Sequence, residues 1–246
     1  MNNIDLSNRI VLVTGATRGI GWYASLALAK AGAHIIAIGR TQGALEELDD
    51  AIKSEGGKAT LVPMDLTNFE SIDILAQQII KRWGKLDGLL GNAAMLGDIT
   101  PTPQIEHDVW DKAMALNATA NLRLIQAFDG ALRASDAGRA VFMSTSLTQN
   151  HRAYWGAYAA SKAAMDAIVT CYANETTKTN LRVNLLDPSA MRTAMRAKAV
   201  PGEDPEKLPH PSMISPLIVK MLSPSYTKTA GRVRFRETDY FMANKN

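Results

Sequence analysis

The stretch Thr14-Gly15-Ala16-Thr17-Arg18-Gly19-Ile20-Gly21 stands between two apolar runs. Arg9-Ile10-Val11-Leu12-Val13 precedes it, and Trp22-Tyr23-Ala24-Ser25-Leu26-Ala27-Leu28-Ala29 follows. A buried strand, a glycine turn and a helix, in that order, form the context a phosphate-binding turn requires. Glycines let backbone N–H groups approach an anion with no Cβ between them. The N-terminus of the following helix adds unpaired donors and a partial positive charge aimed at the same point. The spacing is G-x-x-x-G-x-G, so Gly15, Gly19 and Gly21, with Thr17, Arg18 and Ile20 between them, are the expected nucleotide cradle.

The rest of the chain repeats the alternation. Apolar runs at His34–Ile38, Thr60–Asp65, Leu86–Asn92, Ala140–Ser144 and Arg182–Leu186 are predicted strands. Helical spacing fills the gaps: Ile20, Ala24, Leu28 and Ala31 share one face, and Leu45, Leu48 and Ile52 line a helix over Gln42–Glu55. Asn68 is placed to cap a helix ending near Trp83. A long helix is predicted over Glu106–Ala134, another over Tyr154–Thr179, a short one near Ser212–Leu222, and an edge strand over Arg232–Arg236. The strands are continuous apolar runs rather than alternating ones, as in a parallel sheet covered on both faces. The predicted fold is a single doubly wound α/β (Rossmann) domain over residues 1–246, with about seven parallel strands flanked by helices. Ligands of such sheets bind beyond the carboxyl ends of the strands, so the residues just after each strand carry the information.

Those residues point to a nucleotide with an extra phosphate. Many NAD-binding sheets end their second strand in an Asp or Glu that accepts from the ribose 2′-hydroxyl. Here the segment reads Ile38-Gly39-Arg40-Thr41. Gly39 takes the acid's place, and Arg40 could hold a 2′-phosphate that the acid would repel. Arg18 offers a second positive charge from the glycine turn. NADP is therefore expected, with NAD as the lesser alternative. Asp65-Leu66, after the third strand, lies where the adenine edge would be read.

Tyr158-Ala159-Ala160-Ser161-Lys162 follows the fifth strand, and four residues place Tyr158 and Lys162 on one helix face. A free phenol titrates near 10 and is a poor base at neutrality. A neighbouring ammonium and a positively charged nicotinamide ring favour the phenolate. A lowering of two to three pKa units corresponds to about 3–4 kcal/mol. Tyr158 would then serve as base for alcohol oxidation or acid for carbonyl reduction.

Taken together, Thr14–Gly21, Asp65-Leu66, Asn92-Ala93, Asn117 and Tyr158-x-x-x-Lys162 resemble the short-chain dehydrogenase/reductase family over essentially the whole chain. The resemblance implies a homo-oligomer, tetramer or dimer, that transfers a hydride between a nicotinamide and a small carbonyl or alcohol. It implies that Tyr158 is the acid/base, that Lys162 lowers its pKa while bonding the nicotinamide ribose, and that Asn117 holds a proton-relay water. It further implies contacts to the nucleotide from Asn92, Ala93, Ala94, Pro188, Met191 and Thr193, and a substrate lid near 190–215. The chain departs from the family at three points. Gly91-Asn92-Ala93-Ala94 replaces Asn-Asn-Ala-Gly, and Pro188-Ser189 replaces Pro-Gly. The family's catalytic serine, about thirteen residues before the tyrosine, falls on Thr145, with Ser144 and Ser146 as alternatives. These departures support a second reading, a non-catalytic NADP-sensing binding module.

Composition sets outer limits. A net charge of +3 without like-charge blocks gives no reason to expect nucleic acid. No window of 18 apolar residues suggests a membrane span. The start, Met1-Asn2-Asn3-Ile4-Asp5, has no apolar core of a signal peptide. The single cysteine, Cys171, excludes an internal disulfide, fits a cytoplasmic setting and is expected to pack inside a helix. His34, His107, His151 and His210 have no metal-ligand spacing, so no metal is expected. His151 and Trp155 border the expected substrate site. Arg232, Arg234 and Arg236 alternate along the edge strand and are expected to be solvated or to meet another subunit.

Overall fold

A computed structural model describes residues 4–242; Met1, Asn2 and Asn3 lie outside them. In chain order the elements are β1 (Ile10–Thr14), α1 (Gly19–Lys30), β2 (His34–Gly39), α2 (Gln42–Ser54), β3 (Lys58–Pro63) and α3 (Phe69–Trp83). There follow β4 (Gly88–Gly91), α4 (His107–Met114), α5 (Ala120–Arg133), β5 (Arg139–Met143), α6 (Gly156–Glu175) and β6 (Arg182–Asp187). The last are α7 (Ala194–Ala199), α8 (Ser215–Met221), β7 (Arg232–Arg234) and α9 (Asp239–Met242). Seven of the described segments form one parallel sheet in the order β3-β2-β1-β4-β5-β6-β7.

The continuous apolar strands follow from burial on both faces. Successive side chains of a strand point to opposite sides. Leu12, Ile36, Leu89 and Phe142 pack with α3, α5 and α6, while Val11, Val13, Ile35 and Leu90 pack with α1, α2 and α8. Each fully buried aliphatic side chain contributes about 1.5–3 kcal/mol of transfer free energy, so neither face tolerates a polar substitution. The chain moves outward from β1 through β2 to β3, then returns to pair β4 on the other flank of β1. At that reversal the connections leaving β1 and β4 diverge and open a crevice at their carboxyl ends.

Some local expectations change. The long helix is not uniform: α4 and α5 are joined by a π-helical turn, Ala115–Thr119, that carries Asn117. Such turns are a tertiary accommodation that side-chain periodicity does not reveal. Asn68 precedes α3, but its side chain makes no cap bond. The nearby turn is held by Asp65 instead, whose Oδ1 accepts from the Thr67 N–H and hydroxyl at 2.8 and 2.7 Å. Cys171 is exposed, contrary to expectation. On α6 the inward face is Met165, Val169, Tyr172 and Ala173, and Cys171 points away from it. Among the described residues no helix is long and apolar enough to cross a membrane.

Candidate active site

The crevice at the carboxyl edge is a cleft of about 1130 Å³. Every nucleotide-binding and catalytic residue expected from the sequence lines it except Gly21 and Asn117, which are buried; of the two residues expected beside the substrate, Trp155 lines it and the exposed His151 does not.

The nucleotide end is shaped by main chain. Gly15 and Gly19 have φ of +62° and +55°, the left-handed region that side chains disfavour. A Cβ on Gly21 would stand 2.2 Å from the Gly15 carbonyl oxygen, so only glycine lets α1 begin this close to the turn. Arg18 is the N-cap of α1 and gives it no side-chain cap, and no acidic residue lies in the first turn. Its first N–H groups thus remain available to an anion. Thr14 and Asn92 stitch the reversal together. The Thr14 hydroxyl accepts from the Asn92 and Ala93 N–H groups at 2.9 and 3.0 Å. The Asn92 amide donates to the Thr14 and Gly15 carbonyls at 2.9 and 3.2 Å.

The end of β2 explains why an acid is missing there. A Cβ on Gly39 would lie 2.5 Å from the Thr17 methyl, so the position is closed to larger residues. Arg18 and Arg40 are exposed and line the cleft. The Thr67 hydrogen bonds, with help from Arg40, hold the Asp65 carboxyl below its ordinary range. Across the cleft Thr193 caps α7, accepting from the Arg196 N–H at 3.2 Å, and its methyl faces Gly19. This cradle of free N–H groups, close-approach glycines and two guanidiniums with no ion pair among the described residues fits a phosphorylated dinucleotide.

The catalytic end is assembled from side chains. Tyr158 is half-buried; burial, and then the carboxylates of Asp187 and Asp166, push its phenol up to about 12. The protein's own field therefore acts against the lowering expected from Lys162. The Lys162 amine is buried and donates to the Met143 carbonyl. Burial holds it down to about 8, with Asp166 opposing. Trp155 meets the Tyr158 ring edge-on, with centroids 6.1 Å apart.

The three hydroxyls after β5 differ sharply. Ser144 is buried and committed: it donates to Asp166 at 2.8 Å and accepts from Arg232 at 2.7 Å. Thr145 caps the turn Ser146–Thr148, accepting from the Leu147 N–H at 3.3 Å, which leaves its hydroxyl hydrogen free to donate. Thr145 and Ser146 are both partly exposed in the cleft.

Asn117 is fully buried, and its side chain is consumed by protein. It accepts from the Met95 N–H and donates to the Met95 carbonyl, both at 2.9 Å. It also donates to Ser161 on α6 at 2.9 Å. The amide therefore braces the loop after β4 against the helix of Tyr158. After β6, Ser189 sits at φ +61°, keeping the left-handed backbone of the Pro-Gly pattern without the glycine. Its N–H donates to Asp187 at 2.8 Å.

Sequence reasoning missed two residues here. Arg232 is not a solvated rung of the edge strand: its guanidinium bonds Asp166, Ser144 and the Thr145 carbonyl. Asp166 stands one turn beyond Lys162 on α6, a spacing visible in the sequence. The Arg232 contact had no signal, because it joins positions that only the sheet brings together.

A family model for short chain dehydrogenases matches residues 9–204. The oxidoreductase YciK of Escherichia coli is 39% identical over 229 residues, covering 92% of this chain and 90% of that protein. A fatty acyl-CoA reductase of Acinetobacter baylyi is 32% identical over 210 residues, covering 82% of this chain and 71% of the relative. A crystal structure of a Shigella flexneri short chain dehydrogenase complexed with NADP superposes with a TM-score of 0.90 at 40% identity, covering 95% and 99% of the two chains. Fold, cleft and these likenesses coincide along the chain, and the chain belongs to the short-chain dehydrogenase family of oxidoreductases.

Proposed function

We propose that this protein uses NADP(H) to interconvert a carbonyl compound and its alcohol, with Tyr158 and Lys162 as the proton-handling pair. The observation that carries the reading is that both side chains line the same cleft as the free N-terminus of α1. Structures of a Shigella flexneri relative with NADP and an Escherichia coli relative with NADPH support the choice of nucleotide. Gly15, Gly19 and the first turn of α1 would hold the pyrophosphate, Arg18 and Arg40 the 2′-phosphate, and Asp65 the adenine edge. Bound there, NADPH supplies the hydride and NADP accepts it.

The chain's own groups manage the oxygen and its proton. The Thr145 or Ser146 hydroxyl donates to the substrate oxygen and stabilises the charge that develops on it. The Tyr158 phenol, held protonated by its surroundings, gives that oxygen its proton in the reducing direction. In the oxidising direction the phenol must ionise, and the Lys162 ammonium favours that ion. Met143 positions the amine, and Asn117 positions the helix that carries both. By family resemblance we extend the reading to a cytoplasmic homodimer or homotetramer.

The test is a panel of aldehydes, ketones, quinones and 3-oxoacyl thioesters with NADPH, using wild type and Tyr158→Phe. The variant is expected to bind NADPH normally and to lose roughly 10²–10⁴ in turnover. Near-normal rates in the variant refute the role of Tyr158. The three departures from the family pattern favour one rival, a module that senses NADP without turning anything over. Tight NADPH binding with no turnover across the panel would establish that rival.

A further inference from the structure

Two cations in the cleft have no part in the reading above. Arg152 lies in the loop between the candidate hydroxyls and Tyr158, and Arg236 follows β7. Both are exposed and line the cleft, and neither forms an ion pair within the described residues. Arg236 lies over Phe241, 5.9 Å from the ring centroid, within reach of a cation–π contact.

The lid brings a carboxylate to the same place. Glu203 forms a two-pronged pair with Arg196 at 2.5 and 2.7 Å. Its carboxyl is held below the ordinary range by that pair and, more weakly, by Arg236 and Arg152. One guanidinium thus pairs with the carboxylate, and the cleft keeps an excess positive charge from Arg152 and Arg236 after that pair is formed. The other lysines of this end are already matched, Lys112 with Asp108 at 2.7 Å and Lys198 with Asp98 at 3.7 Å. Leu147, Trp155 and Met195 also line the cleft and supply apolar wall.

We propose that Arg152 and Arg236 form an anion subsite at the mouth of the cleft. The substrate would then be a carbonyl or alcohol compound with an apolar body and a terminal carboxylate or phosphate. The inference rests on the assignment of the reaction above and names the class of molecule that reaction takes. A guanidinium fork matches either anion with paired N–H donors. The apolar wall accepts the chain, which leaves the far end of the substrate free to reach Tyr158. The field of the rim also steers anions toward the opening, an effect that weakens with salt.

The full-length protein with NADPH is offered three substrates of equal chain length: an ω-oxo fatty acid, its methyl ester and an ω-oxoalkyl phosphate. Wild type is expected to favour an anionic form over the ester at least tenfold in kcat/KM, with the preference falling as salt rises. The comparison of acid with phosphate identifies which anion the rim prefers. In the double variant Arg152→Gln, Arg236→Gln the anion-to-ester ratio should fall to about one.

A binding measurement stands beside it: decanoate and methyl decanoate titrated into the NADPH-loaded protein. Decanoate should bind wild type at least tenfold tighter than the double variant, and methyl decanoate should not discriminate. Equal use of acid, phosphate and ester by wild type overturns the proposal. So does an equal loss on all three in the variant, which would make the arginines supports for the lid. If no substrate turns over but decanoate still discriminates, the assignment of the reaction fails and the anion subsite stands. If decanoate does not discriminate and the ω-oxoalkyl phosphate has no advantage over the ester, the subsite fails.

Discussion

The nucleotide end of the cleft and its catalytic end follow different rules of construction. At the first, the shape is made by main chain: two glycines at positive φ, a third that a Cβ would drive into the Gly15 carbonyl, and an uncapped helix start. At the second, side chains from β5, α6 and β7 converge, and their bonds run between residues far apart in the chain. Arg232 to Ser144 spans 88 positions, and Asn117 to Ser161 spans 44. A main-chain site is specified by where glycine must stand. A side-chain site is specified only when the sheet register sets its members side by side.

The most severe way to break the catalytic end is Lys162→Met. We expect roughly a 10³-fold loss of kcat, with a smaller loss of NADPH affinity from the missing bond to the nicotinamide ribose. The wild-type pH profile carries a further sign. Carbonyl reduction needs the phenol protonated and the neighbouring ammonium intact. The amine loses its proton near about 8, while the phenol stays protonated to about 12. Reduction should therefore decline as pH rises through about 8, and Lys162→Met should abolish that limb. A pH profile of kcat/KM for both proteins decides it; an unchanged limb in the variant would assign it elsewhere.

Next in size comes the hydroxyl proposed to donate to the substrate oxygen. Thr145→Ala is expected to cost about 10²–10³ in kcat, as for loss of one oxyanion donor. Ser146→Ala should cost far less, and Thr145→Ser should restore most of the rate. The reverse order in steady-state kinetics would transfer the role to Ser146. Ser144 is out of contention, because Asp166 and Arg232 already hold its hydroxyl.

The nucleotide end is probed by Arg40→Ala. Losing a charge-assisted contact to the 2′-phosphate costs about 1.5–3 kcal/mol, or roughly 10–100-fold in NADPH affinity. NADH affinity should stay put, since the arginine meets nothing on that nucleotide. Equal losses for both nucleotides in a titration would show that Arg40 supports the turn rather than reading the phosphate.

The smallest effect concerns Ser189. Its left-handed backbone costs a side-chain-bearing residue about 1–2 kcal/mol, and glycine relieves this at about 0.5–1 kcal/mol of added chain entropy. Ser189→Gly should therefore raise stability by about 0.5–1 kcal/mol, read as a small rise in Tm. A fall would mean that the serine hydroxyl contributes more than the backbone strain takes away.

Much of this molecule was legible in its amino acids, and the legible part has a common cause. Strand alternation, the glycine turn, Gly39 in place of an acid with Arg40 after it, and the Tyr158/Lys162 spacing are all local patterns. Each depends on residues within a few positions, where periodicity and backbone sterics act directly. The π-turn at Asn117, the exposure of Cys171 and the pairing of Arg232 with Asp166 and Ser144 depend on neighbours supplied by other segments. The upward push on the Tyr158 phenol belongs with them, because burial and the carboxylates of Asp187 and Asp166 act from elsewhere in the fold.

By itself, then, the sequence determined the layered parallel sheet, the end of it where a ligand sits and the residues that could do chemistry there. The tertiary structure alone decided which of three adjacent hydroxyls is already held, and that Asn117 braces rather than lines the cleft. It also decided that Arg152 and Arg236 both line the cleft. The reason is that hydrogen bonds and charges act over a few ångströms of space, and only folding converts distance along the chain into distance in space.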